Sequence, residues 1–125
     1  MGFFGPSQTK INELFHDCCS GHADAQASVR SRIASYGEKV IPMITGYLDP
    51  SDERRFVNAC LILGEITAKH GGEESVAKAL GQFKDDTRLN DNQRLALMAA
   101  YQECRKVQKA KCDVMAEVMR RYGRR

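Results

Sequence analysis

The chain has 125 residues, of which 42% are hydrophobic and 28% are charged. This is the length of one domain, and such a chain can bury a core without metal or disulfide cross-links. The 10 glycines and 3 prolines are close to average usage, which excludes collagen-like and low-complexity classes. No apolar run approaches the roughly 18 residues of a membrane span. Residues 1–6 lack the basic segment of a signal peptide. We therefore expect one cytoplasmic domain over residues 1–125, with residues 1–6 frayed and no membrane association.

The net charge of +3 is concentrated in one part of the sequence. Residues 1–100 hold 11 basic and 13 acidic residues, whereas residues 101–125 hold 8 basic and 3 acidic residues. Such a block can attract an acidic protein surface or phosphate groups, although cations are also favourable near a helix C-terminus. The candidate binding residues are Arg105, Lys109, Arg120, Arg121, Arg124 and Arg125.

The hydrophobic periodicity predicts helices throughout and no strand. The first helix begins at the N-cap residue Ser7 and ends at Gly21, with an apolar face of Ile11, Leu14, Phe15 and Cys18. The next four helices are predicted over residues 24–36, 38–48, 51–70 and 73–83. The helix over 51–70 is apolar around most of its circumference, so we expect it to be buried on more than one side. Gly64 within that helix predicts a close approach by a neighbouring helix.

A sixth helix begins near Asp91, and no glycine or proline interrupts the sequence between there and Tyr122. Continued at the same spacing, the apolar face of this helix reaches the polar residues Gln108 and Lys111. We therefore expect a break or a change of face over residues 107–111, and a basic C-terminal helix and tail over residues 107–125. One long helix is the alternative. A further apolar set follows the expected break, and its members are Val107, Val114, Met115, Val118, Met119 and Tyr122.

One segment has the pattern of a helical repeat. An Ile-Pro pair at 41–42 is followed by spaced aliphatic residues that end at Leu48, before the turn residue Asp49. Arg55 and a Leu-Gly-Glu-Ile run at 63–66 come next. With a one-residue insertion, this pattern resembles the HEAT repeat, which also occurs in phycobilisome-lyase-type proteins. The resemblance covers about residues 32–66, and residues 73–106 would form a more divergent pair.

The resemblance implies an all-α fold, a short α-solenoid of about three antiparallel helix pairs, with or without an extra C-terminal helix. HEAT stacks are known as protein-binding scaffolds, which present an extended ridge of helices to a partner. We therefore expect a non-enzymatic interaction or scaffold module without a cofactor, whose partner is another protein. The alternative is a nucleic-acid-associated module that uses the basic block. The oligomeric state stays open.

A second alternative is a small metal- or thiol-dependent enzyme. Cys18, Cys19 and His22 lie within five positions, and cysteine and histidine are the usual zinc ligands. The sequence has no Cys-x-x-Cys or His-x-x-x-His pair to complete a tetrahedral site, and Cys18 falls on the apolar face of the first helix. The odd number of cysteines, five, predicts reduced thiols that pack as small hydrophobic side chains. We therefore predict no catalytic or metal site.

Overall fold

A computed structural model describes residues 7–123, and these residues form an all-α protein with no strand among them. The six α-helices of this part of the chain are α1 (Gln8–Ser20), α2 (Ala23–Ala34), α3 (Ile41–Thr45), α4 (Glu53–His70), α5 (Glu73–Gly81) and α6 (Asp91–Tyr122). A 3₁₀ turn at Gly37–Val40 precedes α3. The predicted all-α class is therefore confirmed. The expectation that residues 1–6 are frayed lies outside the described residues.

Local sequence signals fix where several helices begin. The Ser7 side chain accepts a hydrogen bond from the Lys10 amide, as its N-cap position predicts. Asp52 caps α4 in the same way through the Arg55 amide. Asn90 and Gln93 form a reciprocal capping box at the start of α6. These caps satisfy backbone donors that would otherwise have no partner within the helix.

The helix α4 forms the centre of the core. It contacts every other helix of the described chain, and its most extensive contact is with α6. Phe56, Cys60, Leu63 and Ile66 are completely buried, which confirms that α4 is covered on more than one side. Sequential helices also pack together, α1 on α2, α3 on α4 and α5 on α6.

Gly64 lies at a close approach of α4 and α6, as predicted. A Cβ atom at this position would lie 3.3 Å from the Cα atom of Ala100 in α6. A glycine within a helix costs about 1 kcal/mol relative to alanine. The tight contact between the two helices explains why a glycine is accommodated here.

Two predictions about the helices are wrong. The region 38–48 is not one α-helix, because a 3₁₀ turn covers its start and the α-helix spans only Ile41–Thr45. The break expected over residues 107–111 does not occur, because α6 continues without interruption for 32 residues. Ion pairs within α6 join Lys106 to Glu103 and Lys109 to Asp113, on either side of the expected break. Such pairs stabilise a helix that has no glycine or proline to interrupt it.

Candidate interaction surface on the last helix

The core-facing side of α6 continues beyond the part of the molecule that covers it. Its buried residues are Gln93, Ala96, Leu97, Ala100 and Cys104, and four of them, Gln93, Leu97, Ala100 and Cys104, recur at intervals of three and four. The same spacing leads on to the six apolar residues Val107, Val114, Met115, Val118, Met119 and Tyr122. We call these six residues the apolar stripe. None of the residues from 105 to 123 is buried, so this half of α6 projects from the helical body.

The apolar stripe is open to solvent along about 24 Å of helix, the length of 16 residues at 1.5 Å each. Val114 is 64% exposed, Met115 60%, Val118 44%, Met119 58% and Tyr122 77%. A contiguous apolar surface of this kind is unusual for an isolated protein and is typical of an interaction site. Methionine side chains adapt easily to the shape of a partner.

Three of the four described basic residues that the sequence predicts to bind form ion pairs within α6. Lys109 Nζ is 3.0 Å from the Asp113 carboxylate, and Arg121 Nε is 3.0 Å from Glu117. Arg120 also pairs with Glu117, whereas Arg105 is exposed. Arg124 and Arg125 lie outside the described residues. By helical spacing, Lys109 and Arg120 lie on the side of α6 opposite the apolar stripe, whereas sequence analysis assigns binding to the basic residues alone.

One ion pair joins the projecting half of α6 to the body. Lys111 lies between Val107 and Val114, on the same face of α6 as the apolar stripe. It pairs with Glu73, the buried first residue of α5. Its ammonium group and the backbone amide of Glu73 hold the pKa of this carboxyl below its ordinary value of 4.5. In return, the carboxylate raises the pKa of Lys111. This contact links the projecting half of α6 to the first residue of α5.

Replacing Lys111 with methionine should remove a pH-dependent part of the stability. Because the pKa of Glu73 is lowered in the folded state, its contribution is complete above the ordinary value near 4.5. The contribution is lost as the pH falls through the lowered value. We expect the wild type to exceed Lys111→Met in free energy of unfolding at about pH 6, and the difference to shrink towards about pH 3. Urea denaturation at both pH values measures this, and a difference that does not change with pH would contradict it.

The three candidate thiol or metal residues are only partly brought together. The Cys18 thiol is buried and donates a hydrogen bond to Asn58 Oδ1 at 3.3 Å. Cys19 is half-buried, and His22 is exposed at the N-cap position of α2. Over residues 7–123, no group of three or more His, Cys, Asp or Glu side chains is arranged to hold a metal ion.

Asn58 is a buried polar residue that sequence analysis did not single out. Its amide oxygen accepts from Arg30 at 2.8 Å and from Cys18, and its amide nitrogen donates to the Arg54 carbonyl at 2.9 Å. These bonds join α1, α2 and α4. The available signal was a lone amide within a helix that is apolar around most of its circumference, where a polar side chain must find partners.

Replacing Asn58 with leucine should destabilise the protein by about 2 kcal/mol, because the Arg30 guanidinium and the Cys18 thiol lose a shared acceptor. Asn92→Leu is the matched control, since Asn92 is exposed and makes one side-chain hydrogen bond, of 3.3 Å, to Glu53. We expect the control to change the free energy of unfolding by less than about 0.5 kcal/mol. Equal effects of the two substitutions in urea denaturation would show that the Asn58 network does not stabilise the fold.

Comparisons with known proteins assign this chain to no family. No protein-family model, no curated protein and no solved structure matches it. In the described part of the chain, none of the helices combines the length and apolar character needed to cross a membrane.

Proposed function

We propose that this chain is a non-enzymatic protein-interaction module, built as a short HEAT-like α-solenoid, that binds a partner helix along the apolar stripe of α6. The observation that carries the proposal is the exposed apolar face of a helix that extends beyond its own core. The pairwise packing of α1 with α2, α3 with α4 and α5 with α6 is compatible with stacked repeats.

The chemistry of the segment indicates what kind of partner would fit. An amphipathic helix can lay its apolar face along such a stripe, with apolar contacts at intervals of three and four residues. Residues 101–125 carry 8 basic and 3 acidic residues, so a partner with acidic residues beside its apolar face is electrostatically complementary. A second copy of this chain would bring two basic segments together. We therefore propose an acidic amphipathic helix of another protein. Five free cysteines are compatible with a cytoplasmic location for this complex.

A nucleic-acid partner is less well supported, because Lys109, Arg120 and Arg121 already pair with acidic residues of the same helix. Binding dominated by phosphate contacts would also leave the apolar stripe unused. It would weaken steeply as salt is raised, whereas apolar contacts would not.

Affinity capture from nuclease-treated lysate at low and high salt tests the proposal. The full-length protein is compared with a version that ends at Lys106 and therefore lacks the projecting half of α6. We expect one stoichiometric protein partner that is retained at high salt and lost on truncation. If only nuclease-sensitive material binds, and salt releases it, the protein-interaction proposal is wrong.

A further inference from the structure

A second feature lies away from α6, where α1 meets the start of α4. A cavity of about 270 Å³ opens there between the two helices. Its lining includes Cys19 and His16 from α1, and Asp52, Arg54 and Arg55 at the start of α4. The half-buried Cys19 thus lines a space that a small molecule can enter, beside two guanidinium groups and one carboxylate.

The surroundings of the Cys19 sulfur favour its anionic form. The amide nitrogen of Asn58 lies 3.7 Å from Cys19 Sγ, and the neighbouring Cys18 is completely buried. The neighbouring Cys18 side chain lowers the pKa of Cys19. The charge of Arg55 and the Asn58 amide act in the same direction, whereas burial and the Asp52 carboxylate oppose them. The Cys19 side chain and burial raise the pKa of Cys18. Cys19 is therefore the thiol of this pair that ionises more readily.

The two arginines are held in place at the cavity. Arg54 donates a hydrogen bond of 2.8 Å to the Cys19 carbonyl oxygen. The guanidinium of Arg55 lies 5.3 Å from the ring centre of Tyr47 and 5.6 Å from that of Phe15, and the two rings stack at 3.9 Å. Tyr47 and His16 are further titratable groups close to Cys19. Ordered cations beside a thiol select for negatively charged reagents.

We propose that Cys19 is a modification site for small anionic disulfides of the glutathione class. The Cys19 thiolate attacks one sulfur of the disulfide, a new S–S bond forms, and the old S–S bond breaks. The electron pair of the broken bond leaves on the departing thiolate, so the disulfide itself is the oxidant. Cys18 is completely buried, which keeps it from displacing the new bond, and the mixed disulfide persists until an external thiol reduces it.

Two single-cysteine substitutions separate Cys19 from the other accessible thiol. Cys60 and Cys104 are buried, and Cys112 is exposed on α6. Cys112→Ser therefore leaves Cys19 as the reactive thiol, and Cys19→Ser leaves Cys112 as a matched exposed control. Both variants are reacted at about pH 7 with dithiobis(nitrobenzoate), a doubly negative disulfide, and with the neutral disulfide dithiodipyridine.

We expect the Cys112→Ser protein to react with the anionic disulfide about tenfold faster than the Cys19→Ser protein, and the advantage to shrink with the neutral reagent. Arg55→Met, added to Cys112→Ser, should lower the anionic rate, and Arg55→Lys should restore it. If Arg55→Met unfolds the protein, the ratio of the reaction rate with the anionic disulfide to that with the neutral disulfide, measured on Cys112→Ser, still tests the proposal. Glutathione disulfide, followed by mass mapping, should place the adduct on Cys19. An adduct on Cys112 would overturn the proposal. The same ratio of anionic to neutral reaction rate for Cys19 and Cys112 would also overturn it.

Discussion

Replacing Val118 with glutamate is expected to abolish partner binding while leaving the fold intact. Val118 lies in the middle of the apolar stripe and is 44% exposed. A charged side chain there would have to be desolvated in the complex, and loss of a central apolar contact costs about 2–4 kcal/mol of binding free energy. We therefore expect binding to weaken by about 100-fold or more. The free energy of unfolding should change by less than about 0.5 kcal/mol, because Val118 is not part of the core.

Ala116→Glu is the matched control for this prediction. It introduces the same side chain two residues away on the same helix, at an exposed position beside the charged face. We expect this variant to bind with wild-type affinity in a titration with the captured partner. If both variants lose binding equally, negative charge on α6 is the cause, and the apolar stripe is not the contact surface.

Replacing Gly64 with leucine is expected to have the largest effect on stability. A Cβ atom at this position already lies 3.3 Å from the Ala100 backbone and 3.7 Å from the Glu103 side chain, so a leucine side chain would press against the backbone of α6. The helices α4 and α6 would have to separate, which exposes apolar surface along the most extensive helix contact. We expect a loss of about 3 kcal/mol and a fall in melting temperature of about 10 °C.

Ala110→Leu provides the comparison for that substitution, since Ala110 is exposed on α6 and leucine is a good helix former. Its melting temperature should stay within about 2 °C of the wild type. Gly64→Leu with an unchanged melting temperature in calorimetry would show that α4 and α6 do not pack as closely as described.

The sequence was most informative where local chemistry decides the structure. The apolar face of Ile11, Leu14, Phe15 and Cys18, behind the capping residue Ser7, defined α1 correctly. Periodicity shows that a residue belongs to an apolar face but does not show whether another helix covers that face. The exposure of Val118 and its neighbours depends on where α4 and α5, the helices packed on α6, end along it, and that is a tertiary property.

Polar contacts between residues far apart in the chain could also not be predicted from the sequence. Asn58 meets Cys18 and Arg30 across 40 and 28 positions of the chain, and no local pattern connects these residues. The pairing of Lys111 with Glu73 spans 38 positions. In the sequence, Lys111 interrupts an apolar stripe and therefore suggested a break in the helix. In the folded protein it is the residue that joins the projecting half of α6 to the body.

Hydrogen exchange of the protein, alone and in complex with its captured partner, tests the central claim most directly. In the free protein, amides of residues 107–122 should exchange faster than those of residues 91–106, because only residues 91–106 pack on the core. Binding should slow exchange chiefly in residues 107–122. Protection that appears only in α1 to α5, with residues 107–122 unchanged, would place the partner elsewhere and contradict the account.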